Sequence, residues 1–374
     1  MAIAQSTSLS STAKPGSEVD LTGSYLSHNP NERLKQLESL LECNKHVTCF
    51  SWDKPKATFG MFAYKAALKH VELDHLELES QNKLKHVKLE HVEAKSLMDN
   101  CYYLFSQCVN LLSVKAPKIK CVAPQMFFSC YVLNSVDMPN LLEIQNEGFR
   151  CCYSLEEIRF PLAKVIEKQA FKECLSLSNV DLPEATTIDC GAFCQCVNLS
   201  RVMLPKAVNF GSAAFRDCQS LKNVSLPQAK LNETSQSLFD GCLSLKKVSL
   251  PATECLPSGV FSGCPSLDVL VLGGAAVVEI ESVNSVFSDC ENFDFERPTN
   301  QVIIIDYSGD GKPKPLYNFS EGKAAAINDK PQKTGVIYVP DNLVEAYKND
   351  KKWSELASQI KGVSEMPRGS ENNN

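Results

Sequence analysis

Residues 177–196 read LSNVDLPEATTIDCGAFCQC, and they contain one full copy of a unit that recurs through most of the 374-residue chain. Each copy is marked by a Phe, with a Cys three residues later and usually a Leu three residues after the Cys. The Phe residues are Phe105, Phe127, Phe149, Phe171, Phe193, Phe215, Phe239, Phe261 and Phe287, and the Cys residues are Cys108, Cys130, Cys152, Cys174, Cys196, Cys218, Cys242, Cys264 and Cys290. Successive Phe residues are 22 apart, except for the longer intervals before Phe239 and Phe287. Such a fixed period predicts a solenoid, in which each unit stacks on the next.

Each unit also contains a short strand of the form L-x-x-V-x-L-P. Alternation along the strand places the V and the final L on one face, which we expect to be buried, and the Pro ends the strand because it cannot continue the ladder. The A-x-x-I and G/A-F-x-x-C segments are then expected to be turns that lead to the next strand. Because one unit is too small to bury its own apolar residues, the Phe residues of stacked units should form one aromatic column.

The composition is that of an ordinary globular protein, with 44% hydrophobic and 22% charged residues. The net charge of -6 argues against a nucleic-acid or acidic-membrane partner. No apolar run is long enough to predict a transmembrane helix, and the N-terminus lacks the basic start and apolar core of a secretory signal peptide. A chain of this size does not need disulfides to stabilise it, despite its 17 Cys residues.

Five segments are predicted. Residues 1–30 are expected to be disordered, 31–66 to form a helical cap, 67–295 to form the solenoid, 296–362 to form a last repeat and a cap with a helix, and 363–374 to form a disordered tail. The solenoid is expected to start with two L-x-x-V-x-L strands, at Leu68–Leu73 and Leu84–Leu89. Further strands are predicted at Val302–Ile305 and Val336–Val339, followed by a helix with Asp341 as its N-cap and an apolar face that includes Leu343, Tyr347 and Ile360.

The pattern L-x-x-V-x-L-P-x-A-x-x-I-x-x-x-A-F-x-x-C resembles that of BspA-like leucine-rich repeats, over about Leu68 to Gly362. The resemblance implies an α/β repeat solenoid of right hand, with a parallel β-sheet on the concave face and short turns or helices on the convex face. It also implies a binding role, since several members are surface antigens that adhere to host proteins or to other cells. It thus suggests the cell surface, whereas the missing signal peptide suggests the cytoplasm, and both locations stay open.

The repeated Cys residues have two interpretations. They could form a redox or metal ladder, or they could be small buried residues whose S–H groups donate to backbone carbonyls, and we favour the second. Cys43, His46 and Cys49 offer three metal ligands where a structural zinc site needs four. The segment from Asp306 resembles half of a calcium loop but has Tyr317 where the last Glu should stand. We therefore predict no metal and no cofactor.

Two pairs of His residues occupy related positions in the first strands. His70 is expected to stand beside His86, and His75 beside His91, where they would bind a metal, respond to pH, or simply reflect duplication of an exposed position. N-x-S/T sequons occur at Asn198, Asn223, Asn232 and Asn318, and Asn223 falls inside a predicted strand.

No motif of a hydrolase, a phosphate loop, a dinucleotide site or a zinc protease occurs, so we expect no enzymatic activity. The outward residues of the strands form a polar strip with a basic start, an acidic middle and a basic end, and without clustered Trp or Tyr. The predicted binding residues are Glu156, Glu157, Arg159, Asn179, Asp181, Arg201, Lys222, Lys246 and Lys247. Two hypotheses follow: an adhesion or recognition module with a host or cell-surface protein as its partner, or an intracellular scaffold.

Overall fold

The computed structural model describes residues 89–94, 102–253, 255–272, 336–350 and 357–365 with their side chains, together with Val286, Ser288 and Ser354. It also gives the backbone of several strands on either side of this central part. These residues fold as a solenoid of parallel strands with little helix.

One row of strands forms the outer sheet surface, which we call the strand face. It comprises β1 (Glu18–Asp20), β2 (Cys49–Trp52), β4 (His70–Glu77), β5 (His91–Leu97), β6 (Ser113–Lys115), β8 (Ser135–Asp137), β10 (Glu157–Arg159), β12 (Asn179–Asp181), β14 (Arg201–Met203), β16 (Asn223–Ser225), β17 (Lys247–Leu250), β19 (Val269–Gly273), β21 (Gln301–Ile305), β24 (Val336–Val339) and β25 (Ile360–Gly362). A short strand, β3 (Ala57–Thr58), also pairs with β4. The pairs are parallel and in register, so Ile158 stands beside Val180, and Val180 beside Val202. Residues 22 apart therefore form straight columns across the sheet.

A second row of shorter strands runs along the array. It comprises β7 (Cys121–Val122), β9 (Glu143–Ile144), β11 (Val165–Ile166), β13 (Thr187–Ile188), β15 (Asn209–Phe210), β18 (Cys255–Leu256), β20 (Val278–Ile280) and β22 (Leu316–Asn318), and β23 (Lys323–Ala324) pairs antiparallel with β22. The A-x-x-I segment was expected to be a turn, and that interpretation is corrected. Its last two residues form a strand, because their backbone groups bond to the same segment of the next coil.

The Phe column lies in the core, as the repeat predicts. The rings of Phe105 to Phe261 are stacked in sequence, with centroids 5.0 Å apart at the closest pair and 5.9 Å at the widest. Neighbouring planes are tilted by 1° to 9°. All eight rings are buried, whereas Phe287 lies outside the described residues. The inward Val and Leu positions of the strands are also buried, Val136 and Val202 being only partly covered.

The turn around each Phe contains two residues in the left-handed region, at the second position before and the second position after the ring. They are Tyr103, Gln107, Gln125, Ser129, Glu147, Cys151, Gln169, Glu173, Gly191, Gln195, Ala213, Asp217, Ser237, Gly241, Gly259 and Gly263, with φ between 54° and 73°. Only four of these are Gly, although the conformation costs other residues about 1–2 kcal/mol each.

Hydrogen bonds between coils explain why this conformation is kept. The backbone N–H of Phe171 donates to the Ala192 carbonyl at 2.8 Å, and the N–H groups of Gln169 and Glu173 donate to the carbonyls of Cys190 and Cys194 at 2.9 Å. The left-handed turns thus aim three N–H groups per unit along the array. Leaving these N–H groups buried and unpaired would cost more free energy than the strained dihedrals do. The turns therefore form a third row of hydrogen bonds between coils, beside the two rows of strands.

Among the residues that the structure describes, helical structure is confined to a few turns. One 3-10 turn, Glu233–Ser235, takes up the two extra residues of the 24-residue unit, and the others are Asp341–Leu343, Ser354–Gln359 and Val363–Glu365. The α-helix α1 covers Val344–Asn349. Short helices on the second side of the repeats are therefore not a general feature of the described units.

The N-terminal predictions need correction where strands were found. Glu18–Asp20 forms a strand inside the segment predicted to be disordered, and Cys49–Trp52 and Ala57–Thr58 form strands inside the predicted helical cap. The expected helix after residue 31 lies outside the described residues. The predicted strand at 84–89 is also wrong at its end, since Leu89 precedes the strand His91–Leu97. The solenoid sheet thus begins before residue 67.

The C-terminal region confirms the predicted strands at 302–305 and 336–339 and changes the cap. Asp341 does not cap its own helix; its Oδ1 accepts from the N–H and the hydroxyl of Ser364, at 3.1 and 2.8 Å. Leu343 and Tyr347 are buried as expected, but Ile360 belongs to β25, which pairs with β24. Val363–Glu365 is a 3-10 turn rather than part of a disordered tail, and residues 366–374 lie outside the described residues.

Phe193→Ala is expected to lower the free energy of unfolding by about 3–5 kcal/mol, because it removes a fully buried ring from the middle of the stack. Urea denaturation monitored by circular dichroism measures the change. The control is Leu243→Ala, at a position 48% exposed, which should change stability by less than about 0.5 kcal/mol. A loss below about 1 kcal/mol for the Phe193 variant would contradict a stabilising aromatic column.

Candidate binding surface

The Cys column is a packing feature in the described coils. Each thiol from Cys130 to Cys264 donates to the carbonyl of the Phe in the preceding coil, with sulfur–oxygen distances of 3.0 to 3.3 Å. Burial raises the pKa of the column thiols from Cys130 to Cys242, and it raises the pKa of Cys108 to about 12. These donations agree with the predicted role of the column thiols as donors to backbone carbonyls.

The histidine pairs predicted from the sequence are wrong. In the sheet, His70 pairs with His91, and His75 pairs with Ser96. The true repeat is therefore 21 residues, from Leu68-x-x-Val71 to Leu89-x-x-Val92, and the similarity 16 residues apart does not reflect stacking. His91 Nδ1 lies 2.7 Å from the Ser113 hydroxyl of the next strand, which gives it a structural partner.

The described residues contain no group of three or more His, Cys, Asp or Glu side chains that could hold a metal. Cys43 and His46, the side chain of Cys49, and the segment from Asp306 to Pro315 lie outside those residues, so the two metal motifs are not tested there. None of the helices in the described part of the chain combines the length and the hydropathy that a bilayer span requires.

The predicted binding residues do share the strand face. Glu157, Asn179 and Arg201 form one register column on β10, β12 and β14, and Lys247 stands beside Asn223 in the same column further on. Arg159 and Asp181 belong to a second column, while Glu156, Lys222 and Lys246 come directly before strands. Asn179, Asp181 and Lys247 are half-buried, and the other predicted residues are exposed. We call this set, with Asp137, the charged strip.

Charge is separated along the charged strip. Asp137, Glu156 and Glu157 form an acidic half on β8 and β10, and Arg201, Lys222 and Lys246 form a basic half at β14, β16 and β17. Between them, Arg159 Nε lies 3.3 Å from Asp181 Oδ2, which neutralises the middle. Asp137, Glu157 and Arg201 have no ion pair with any described residue. The predicted basic start falls on residues whose side chains are not described.

An apolar cluster limits the charged strip at its C-terminal end. On β19 and β24 the outward positions become Val269, Val271 and Tyr338, which are only 3–6% exposed. Val363, from the turn after β25, packs against them. The surface open to a partner therefore ends near β17.

A feature that the sequence interpretation missed runs beside the charged strip. The residue after each Cys is apolar and exposed in four consecutive coils: Val109, Tyr131, Tyr153 and Leu175 are 44%, 40%, 37% and 38% exposed. The rings of Tyr131 and Tyr153 stack at 4.9 Å. We call these four residues the edge ridge. The recurrence of an apolar residue next to each Cys was the available signal, but it looked like part of the core.

A charged network borders the edge ridge on its turn side. Arg150 lies 2.9 Å from Glu147 and 3.4 Å from Glu173, and its guanidinium stands over the Phe128 ring. The Cys151 thiol donates to the Glu173 carboxylate at 3.3 Å. Burial alone would raise the pKa of Glu173, but the hydrogen bond from the Cys151 thiol and the charges of Arg150 and Lys172 lower it. These contacts lock three coils together and leave little free charge on that side.

Carboxyl groups cluster around the shorter strands: Glu143 is the first residue of β9, and Glu167 and Asp189 directly follow β11 and β13. The pKa of Glu167 is raised by burial, by a hydrogen bond with Glu143, and by the nearby charges of Glu143 and Asp189. The N–H of Asn146, which donates to Glu167 Oε2 at 2.9 Å, opposes this rise only in part. Folding therefore makes ionisation of the Glu167 carboxyl less favourable. Two facing carboxyls of this kind destabilise each other when both ionise.

Three of the four sequons are at described positions. Asn198, Asn223 and Asn232 are exposed, and Asn223 does lie within a strand, β16, as predicted. The Asn198 amide nitrogen donates to the Leu175 carbonyl at 2.8 Å, and Asn232 Oδ1 accepts from the Thr234 N–H at 2.8 Å. The side chain of Asn318 is not described.

Glu167→Gln is expected to raise the melting temperature at pH 7, because Gln keeps an oxygen for the Asn146 N–H and removes the repulsion. A carboxyl whose pKa is raised by folding contributes stability below its unfolded pKa and loses it as pH rises through the folded value. The advantage of the variant should therefore disappear toward about pH 4. Calorimetry across this range, with the exposed Glu233→Gln as control, measures it; an equal gain at both pH values would contradict the assignment.

Comparison with known proteins agrees with this architecture. The family model of the BspA type leucine rich repeat region matches in six copies over residues 60–167, 100–209 and 164–294. No curated protein matches the chain. Among solved structures, a leucine-rich repeat protein from Bacteroides ovatus is 18% identical, with a TM-score of 0.42, and the match covers 66% of this chain and 77% of that one.

Two other solved structures are also among the matches. A leucine rich cell surface protein from Faecalibacterium prausnitzii is 17% identical, covers 77% of this chain and 86% of that one, and has a TM-score of 0.35. The T. pallidum leucine rich repeat protein is 26% identical, covers 48% of this chain and 78% of that one, and has a TM-score of 0.34. Because the family model matches more than half of its residues, the chain belongs to the BspA-type leucine-rich repeat family.

Proposed function

We propose that this chain is a non-enzymatic protein-binding module that holds its partner on the charged strip and the edge ridge. The observation that supports this most directly is the combination of unpaired charges with an exposed stacked Tyr pair on one side of a rigid array. Leucine-rich repeat proteins commonly serve as interaction modules, and the solved structure from Faecalibacterium prausnitzii is described as a cell surface protein.

The two surfaces offer complementary contributions to binding. Charged side chains on a strip steer association and set specificity, whereas desolvated aromatic side chains supply most of the affinity in protein interfaces. Tyr153 and Glu156 are three residues apart at the start of the same strand segment, so one partner would reach both surfaces. The columns cannot shift independently, because each coil is hydrogen-bonded to the next.

Charge reversal tests the surface. We expect Glu156→Lys, Glu157→Lys and Arg159→Glu together to abolish capture of a partner that the wild-type chain retains from a lysate of its source cells. The matched control combines Lys230→Glu with Glu233→Lys, two exposed positions away from the strand face. Partners are compared by mass spectrometry. Equal retention by the strip variant and the control would reject the strand face as the binding surface.

The family resemblance favours adhesion or recognition at the cell surface. An intracellular scaffold is the second candidate, favoured by column thiols that donate to backbone carbonyls instead of forming disulfides with each other. We expect an antibody against the folded chain to label intact, non-permeabilised source cells. Labelling that appears only after permeabilisation would contradict adhesion and support the scaffold. A cytosolic marker protein, stained in parallel, controls for membrane integrity.

A further inference from the structure

We propose that the charged strip binds a second copy of this chain, face to face, with the two arrays running in opposite directions. This inference rests on the proposed binding function of the same surface and names the partner. It follows from the order of charges along the strip, which is acidic on β8 and β10 and basic from β14 to β17.

The charges are placed almost symmetrically about β12. Glu157 on β10 and Arg201 on β14 are one strand away from Asn179 on either side, in the same register column. A two-fold axis along β12 exchanges these positions. Glu157 of one copy then faces Arg201 of the second copy, and the reverse contact forms at the same time, as an isologous interface requires.

The outer parts of the charged strip follow the same order. Asp137 lies two coils before β12 and Lys222 two coils after it. They belong to different columns, three positions apart along the strand, so they are less closely aligned across the axis than Glu157 and Arg201. An antiparallel arrangement therefore brings the acidic half of each copy over the basic half of the other. Two copies running in the same direction would place like charges opposite one another, which costs free energy.

The middle of the charged strip does not oppose this contact. Asp181 would approach its own copy near the axis, but its charge is already paired with Arg159 at 3.3 Å. On the same border, Leu175 of one copy lies opposite Leu175 of the other, and Tyr153, one coil before it, lies opposite Val197. The arrangement thus covers exposed apolar groups as well as charges.

The size of the contact sets its expected strength. From β8 to β17 the strip spans five spacings of about 4.8 Å, or roughly 24 Å. A surface of this length and a few residues in width is smaller than the roughly 800 Å² per partner of a stable interface. We therefore expect a weak dimer that dissociates as salt is added, because its charges are solvent-exposed.

Sedimentation velocity of the full chain tests the dimer. We expect wild-type protein to self-associate at about 20 mM NaCl, and the association constant to fall by about tenfold or more at about 300 mM NaCl. Glu157→Arg alone, or Arg201→Glu alone, should weaken self-association by about tenfold or more, since each places like charges in both symmetric contacts.

Mixing the two single variants provides the sharpest result. The Glu157→Arg chain and the Arg201→Glu chain should associate with each other at low salt, because the mixed pair restores opposite charges in both contacts. Glu233→Arg and Lys230→Glu make the matching charge changes away from the strip and should leave wild-type behaviour unchanged. Circular dichroism melting of each variant confirms that it is folded.

A wild-type chain that stays monomeric at low salt, or single variants that do not recover when mixed, would overturn the dimer. The lysate experiment above separates this outcome from failure of the binding surface itself. If strip reversal abolishes capture of another protein while the wild type is monomeric, the surface binds a heterologous partner and the inferred self-association is wrong.

Discussion

The stacking of each Phe on the Phe of the next coil is the contact on which the rest of the structure depends. The ring of Phe171 lies 5.3 Å from that of Phe193, its N–H donates to the next coil, and its carbonyl accepts the thiol of Cys196. The side chain, the backbone N–H and the backbone carbonyl of this one residue thus all contact neighbouring coils. Any change in spacing at this point would break three kinds of contact at once, which explains why the period is so regular.

The same constraint accounts for the Cys column. The site next to the Phe carbonyl is fully buried and must hold a small side chain with a weak donor, since a stronger polar group would need more partners than the carbonyl offers. A thiol satisfies both conditions, and burial raises its pKa and so disfavours the reactive thiolate. Chemistry at these positions would require the loss of the packing that places them there.

The repeat predicted the strands, the buried columns and the Phe stack, because these depend on spacing alone. The partner of His70 could not be predicted from spacing, since two L-x-x-V matches, 16 and 21 residues away, compete in the sequence and only the hydrogen-bond register chooses His91. The left-handed residues were missed because most are not Gly. Tyr131 and Tyr153 were missed because an apolar residue beside a buried Cys gives no sign of its exposure.

In a solenoid, a surface property arises only if it repeats or changes steadily along a column, because neighbours in space are residues about one period apart in sequence. The charged strip shows this directly: one register column reads Glu157, Asn179, Arg201, which is a gradient from negative through neutral to positive. A gradient of charge has a direction, unlike a uniform patch. A partner is therefore recognised by its orientation as well as by its charge, and a copy of the same gradient, turned end for end, is one surface that satisfies it.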